Sequence, residues 1–159
     1  MRLNLGEYFV KNPKTLWLAG KGRVIDEKGE EISKWVTAYK NFLLHLNSYN
    51  LLLIVNYLMQ PSVFLSKKAY DKYGPFTGTS KYVMEYDLWL KIGKEKMPAI
   101  IPKNLSYFRL HPGAFSLSSF IDILKHDSEI VKSHTSNKFF IFLHSLNNVG
   151  RKAVLKLRR

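Results

Sequence analysis

Two carboxylates, Glu85 and Asp87, open an otherwise apolar run, Met84-Glu-Tyr-Asp-Leu-Trp-Leu-Lys91, and a histidine, His111, closes the apolar pattern that ends at Leu110. A carboxylate at the start of a helix is partly exposed, can be aimed at a cleft, and can take a proton from a hydroxyl. The same position also favours a purely structural acid, which caps the helix or stabilises the positive end of its dipole. Side chains two apart on a helix point roughly 200° away from each other, so the two acids cannot both face one substrate. If one is catalytic, the other is structural. A Glu-x-Asp triplet also imitates the Asp-x-Asp that holds a divalent ion, but such a pair belongs on a loop after a strand rather than at the head of a helix.

His111 precedes Pro112-Gly113 and is expected at a sheet edge beside a turn, where a lone imidazole is weak evidence for a metal. His45, His126, His134 and His144 fall in helical patterns without ligand-spaced partners, so no zinc-type pair exists. Neither a phosphate-binding Gly-x-x-x-x-Gly-Lys loop nor a Gly-x-Ser-x-Gly elbow occurs.

The 159 residues, 46% hydrophobic and 14% aromatic, suit a single domain with a real core. With no cysteine, disulfides, thiolate zinc sites and a catalytic thiol are excluded, and any metal must be held by His, Asp or Glu. Twenty-five Lys and Arg against twelve Asp and Glu leave a formal charge of +13, which attracts polyanions. Residues 1–7 lack the apolar core of a signal peptide. The most apolar window, 42–59, is interrupted by His45, Asn47, Ser48, Asn50 and Asn56, and reads as buried protein rather than a membrane span. These features point to a cytoplasmic chain, peripheral at most at the inner face of a membrane.

The elements that must position the candidate residues follow from periodicity and breakers. A helix over 5–10 stops at Asn12-Pro13. A strand over 17–25 runs into Asp26-Glu-Lys-Gly29, which is hairpin chemistry. Residues 33–46, capped by Ser33, place Trp35, Val36, Tyr39, Phe42, Leu43 and Leu46 on one stripe, the expected packing face of a helix. Gln60-Pro61 breaks the chain before a short strand at 63–65, and a helix over 69–73 ends at Gly74-Pro75. Residues 85–94 form a mostly buried helix, and 98–110 form either a strand pair turning at Pro102-Lys-Asn104 or one bent strand.

From Ser116 onward, Phe120, Ile123, Leu124, Asp127, Ile130 and Val131 describe an amphipathic helix. The last segment, 137–159, joins Phe139, Phe140, Phe142, Leu143 and Leu146 to Arg151, Lys152, Lys156, Arg158 and Arg159 with no acid. It fits a solvated helix, a nucleic-acid patch or an in-plane membrane helix. The signatures of RNA-binding sheets and helix-turn-helix domains are missing, which favours the membrane surface. The Asn104-Leu-Ser106 sequon reads as chance without a signal sequence.

Taken together, Asn56-Tyr-Leu-Met-Gln-Pro-Ser-Val-Phe-Leu65, Gly74-Pro-Phe76, Glu85-Tyr-Asp-Leu-Trp-Leu-Lys91 and Phe108-Arg-Leu-His111 resemble, in letters, order and gaps, the C-terminal half of family 2 glycosyltransferases of the inverting GT-A type. The resemblance runs from residue 5 to residue 116. It implies an α/β fold class, a partial GT-A-like fold with a small mixed sheet packed by helices, followed by a helical basic tail. Residues 1–116 would be the acceptor-side half of the transferase domain and 117–159 the tail.

The complete enzyme would move a sugar from a nucleotide-diphosphate sugar to a glycan or lipid-linked acceptor, with Mg²⁺ or Mn²⁺ as cofactor. By the same resemblance Glu85 falls where the family places its general base, usually Asp, which deprotonates the acceptor hydroxyl for in-line displacement at the anomeric carbon. Asp87 becomes its helix-stabilising neighbour, with the opposite assignment open. Gln60, Pro61 and Ser62 fall on the acceptor-side lining, and Trp89 and Lys91, the latter where Arg is commoner, join them as substrate-side residues. Arg109 falls near the phosphates, and His111 matches a histidine that approaches the metal or diphosphate.

Family members begin with a strand-helix repeat that binds the nucleotide sugar and ends in Asp-x-Asp, and the present sequence holds no such region. Alone it is therefore expected to lack most of the donor site and to need a separate donor-binding chain. The rival class is a non-catalytic basic module on an anionic membrane or nucleic acid, although for the transferase reading no nucleic-acid partner is expected.

Overall fold

Trp17, Leu18 and Ala19 are at most 1% exposed, and a strand that begins so apolar belongs inside a sheet. In the computed structural model, which describes residues 4–75, 83–111, 113 and 119–156, β1 (Trp17–Ile25) is the strand that all the others join. It pairs antiparallel with β2 (Glu31–Ile32) and with β3 (Val63–Leu65), and parallel with β4 (Ala99–Arg109) from Leu18 to Ile25. Since β4 runs along nearly all of β1, it fills one edge. β2 and β3 share the other edge, at opposite ends. The result is a small mixed open sheet. The β1–β2 turn is the expected hairpin: Asp26 Oδ1 accepts from the backbone N–H of Lys28 and of Glu30, both at 2.9 Å, and Gly29 takes φ +89°.

The region 98–110 is one bent strand rather than a pair. Its register jumps, from Gly20 opposite Ile101 to Lys21 opposite Asn104, leaving Pro102 and Lys103 bulged out. Proline cannot donate to a ladder, so a bulge is where a strand tolerates it. The bend crowds the β1 backbone. A Cβ on Gly20 would overlap Leu105, and one on Gly22 would stand 2.7 Å from Met59 Sδ. Ser62, fully buried, stitches the same region: its Oγ donates to the Lys21 carbonyl at 3.0 Å and lies 2.5 Å from Ser106 Oγ.

Helices cover this sheet. α1 (Leu5–Lys11) is capped by Asn4, and α4 (Lys67–Tyr73) by Ser66, whose Oγ accepts from Ala69 N at 3.1 Å. α3 (Tyr49–Ile54), α5 (Met84–Glu95), α6 (Phe120–His134) and α7 (Lys138–Lys156) build the main core with β1. The Trp17 ring stacks on Trp89 with centroids 5.5 Å apart and donates its Nε1–H to the Lys96 carbonyl at 2.7 Å. Tyr86 OH donates to the Leu52 carbonyl at 2.6 Å. The α6 helix begins at Phe120, and Ser116 lies outside the described residues. α7 packs against α3 and α6 and buries His144 and Asn148. Among the described residues no helix is long and apolar enough to cross a membrane.

One helix is turned the other way from expectation. α2 (Lys34–Leu46) buries Thr37, Leu43 and Leu44, whereas Trp35, Tyr39, Phe42 and Leu46 are 45 to 62% exposed. Periodicity identifies a stripe but not the direction it faces. Here Leu43, a member of the expected stripe, is buried, but the side that meets the sheet is centred on Leu44 and on Asn41, whose Nδ2 donates to the Gly22 carbonyl at 3.3 Å.

Candidate functional site

The first turn of α5 has no side-chain cap, which leaves Glu85 and Asp87 to complement the dipole. They diverge, as their spacing requires. Asp87 faces α6: its Oδ1 lies 2.7 Å from His134 Nε2, and its Oδ2 lies 2.5 Å from Lys91 Nζ. Burial alone would raise the Asp87 pKa, but the hydrogen bonds from Lys91 and His134 outweigh it and hold the carboxyl below its ordinary value.

Glu85 lies within electrostatic reach of Lys40 on α2 and Asp127 on α6. It is half-buried, and burial raises its pKa; its own backbone N–H works against this, the Asp127 charge adds to it, and the Lys40 charge opposes it. Lys40, half-buried on α2, is shifted the other way, down to about 8. Burial is the main cause and the Arg151 charge the second, with Asp127 and Glu85 in partial compensation.

Behind this pair lies a buried network. Asp127, 1% exposed, accepts from Arg151 Nη1 at 2.5 Å through Oδ2, while its Oδ1 is buried without a hydrogen-bond partner. Arg151 also donates to Asn148 Oδ1 at 3.0 Å, and Asn148 Nδ2 lies 3.0 Å from His144 Nε2. On its other side His144 Nδ1 lies 3.1 Å from the carbonyls of both Leu53 and Ile54. Carbonyls only accept, so Nδ1 carries the hydrogen and Nε2 accepts from Asn148. This is a neutral imidazole, in keeping with a pKa lowered by burial.

The chemistry available is proton transfer. A carboxylate whose proton affinity is raised by burial, near an ammonium of low pKa, is suited to general base work. The other expected site residues scatter. Gln60 and Pro61 are exposed in a 3₁₀ turn (Gln60–Ser62), but Ser62 is enclosed and spends its hydroxyl on β1 and β4. Trp89, expected on the substrate side, is a core residue here, 3% exposed and stacked on Trp17. Lys91 is exposed and paired with Asp87.

Arg109 donates from Nη1 to the Asp26 and Glu27 carbonyls at 2.9 and 2.7 Å, which pins the hairpin turn to the end of β4. His111 is exposed just beyond that end, where Leu110 N donates to the Ile25 carbonyl at 2.8 Å. Among the described residues no group of three or more His, Asp or Glu is arranged to hold a metal. The divalent ion implied by the resemblance therefore has no built site on them.

Lys40, Asp127, Arg151, His144 and Asn148 were not anticipated as a unit. The legible signal was Asp127 itself, a charge set between Leu124 and Val131 on the apolar face of α6. A scan against protein-family models returns no match to the chain, and a search of curated proteins returns none either.

Proposed function

We propose that the chain supplies the acceptor side of an inverting, nucleotide-sugar-dependent glycosyltransferase of family 2, with Glu85 as the general base. The observation that carries this reading is the state of Glu85: a half-buried carboxylate in the first turn of α5, made more basic by its burial and within electrostatic reach of Lys40. Such a group accepts the proton of an acceptor hydroxyl as the oxygen attacks the anomeric carbon, the nucleoside diphosphate leaving on the opposite side. Asp87, held by His134 and Lys91, braces the helix that presents Glu85. The donor, with its Mg²⁺ or Mn²⁺, would bind residues outside these 159, on a separate donor-binding chain, and the acceptor would be a glycan or a lipid-linked sugar.

The test is sugar transfer from UDP- or GDP-sugars by the chain combined with a strand-helix region ending in Asp-x-Asp encoded beside it. Glu85→Gln should lower transfer at least about 100-fold, the lower end of what a general base contributes, and Asp87→Asn should retain far more. Transfer by Glu85→Gln at the unsubstituted rate, or micromolar binding of a sugar nucleotide by the 159 residues alone, overturns the proposal. The second reading, a non-catalytic basic module at an anionic surface, is favoured by the exposed apolar stripes of α2 and α7.

A further inference from the structure

α2 and α7 share a pattern found on no other described helix. On α2 the exposed side chains Trp35, Tyr39, Phe42 and Leu46 fall at intervals of four, three and four, and so form one stripe. On α7 Phe139, Phe142, Leu146 and Val149, 57 to 63% exposed, form another. Large apolar side chains exposed in line along one helix face mark an interaction surface. The charge pattern selects the partner. All twelve acids of the chain lie outside these two helices, while Lys34 on α2 and Lys138 and Lys152 on α7 are exposed cations. Helices with aromatic residues on one side and only cations for charge match the boundary of an anionic bilayer, where rings lie among the headgroups and cations meet phosphates.

Each helix also has a buried side, Thr37, Leu43 and Leu44 on α2 and His144 and Asn148 on α7, where Arg151 pairs with Asp127 of α6. We propose that the exposed faces of α2 and α7 dock the protein on an anionic lipid surface, their apolar side chains entering the headgroup region. This goes beyond the catalytic reading, because it rests on neither Glu85 nor a sugar substrate.

The protein carries its own probe. Of its three tryptophans, Trp17 and Trp89 are 1% and 3% exposed, and Trp35 on the α2 stripe is 57% exposed. Tryptophan emission and co-sedimentation are followed as mixed phosphatidylglycerol–phosphatidylcholine vesicles, pure phosphatidylcholine vesicles or an oligonucleotide are added to the full chain. The expected result is a blue shift with the anionic vesicles alone, weakened by salt and absent in Trp35→Phe. Phe139→Ser with Phe142→Ser, both surface changes, should weaken partitioning at least about tenfold, the scale of losing two apolar anchors. Glu85→Gln should bind as the unsubstituted chain does, which separates this proposal from the catalytic one.

A missing blue shift, equal binding to neutral vesicles, or full binding by the Phe139→Ser, Phe142→Ser variant overturns the proposal. So does a shift produced by the oligonucleotide alone, which would make the partner nucleic acid. A shift that grows with protein concentration without lipid also overturns it, since the stripes would then be covered by a second copy.

Discussion

His134 Nε2 lies 2.7 Å from Asp87 Oδ1, so the last turn of α6 is tied to the first turn of α5, and both side chains are largely withdrawn from solvent. With Lys91 on the other oxygen, Asp87 is held ionised at one end of the helix that carries Glu85. The two acids are thus shifted in opposite senses, Asp87 down by its partners and Glu85 up by burial.

Asp87→Asn should cost about 1.5–3 kcal/mol near neutral pH, the usual range for a hydrogen bond to a charged partner. Because the folded Asp87 carboxyl titrates below its ordinary value, its contribution is complete above the ordinary aspartate range and fades as pH falls through the folded value. Denaturant unfolding of the unsubstituted protein, Asp87→Asn, His134→Ala and the double variant checks this. The double-variant cycle should return a coupling of about 0.5–3 kcal/mol at neutral pH, and less in acid.

Glu85 carries the opposite sign. A carboxyl whose folded pKa is raised costs stability as pH climbs past the ordinary glutamate range toward the folded value. Glu85→Gln should therefore unfold at a higher temperature than the unsubstituted protein at pH 7, with the difference vanishing in acid. Lys40→Met removes the cation that opposes the shift, so it should push the Glu85 titration higher still, as read by carboxyl NMR. A variant that loses transfer while gaining stability would mark Glu85 as a residue kept for activity.

His144 makes the core acid-sensitive. It is neutral and hydrogen-bonded on both ring nitrogens when folded, and its pKa is lowered by burial, whereas the unfolded chain takes up the proton near the ordinary value. The unfolded state thus binds more protons just below pH 6.5, and stability should fall there as pH drops. His144→Phe keeps a ring beside Tyr86, leaves the Leu53 and Ile54 carbonyls short of a donor, and should cost about 1–3 kcal/mol at pH 7. The same variant should flatten the acid slope in urea unfolding.

Gly20→Ala tests the bent sheet. The added methyl collides with Leu105, and relieving that overlap should cost about 1–3 kcal/mol, typical of overpacking. Gly29→Ala meets no neighbour and should suffer only from its φ of +89°, so thermal melts of the two variants separate crowding from backbone strain.

Local chemistry was legible and partnership was not. The bounds of β1, its Asp26-to-Gly29 turn, the short strand at 63–65 and the helix led by Glu85 all follow from alternation, turn residues and charge placement, which act over a few residues. That β1 lies between β4 and the pair β2 and β3 cannot be read from any local pattern. Trp35 and Tyr39 looked like core residues because an apolar stripe normally faces inward, and only the seating of Asn41 and Leu44 shows the reverse. Asp127 and Arg151 stand 24 residues apart on different helices, so neither announces the other. Trp89 drew attention through its neighbours in a motif, although a tryptophan flanked by Leu88 and Leu90 is first of all a packing residue.

The parallel pairing of Leu18 with Ala99 also fixes the order in which the chain can acquire its sheet during synthesis. When β1 and β3 leave the ribosome they can zip together at once, but the other edge of β1 stays bare until β4 has been made. At ordinary elongation rates that interval is on the order of a few seconds. For that time the most buried of the described strands offers an unpaired edge to whatever is near. Nascent chains stalled between residues 65 and 99 should therefore be the ones that recruit chaperones most strongly.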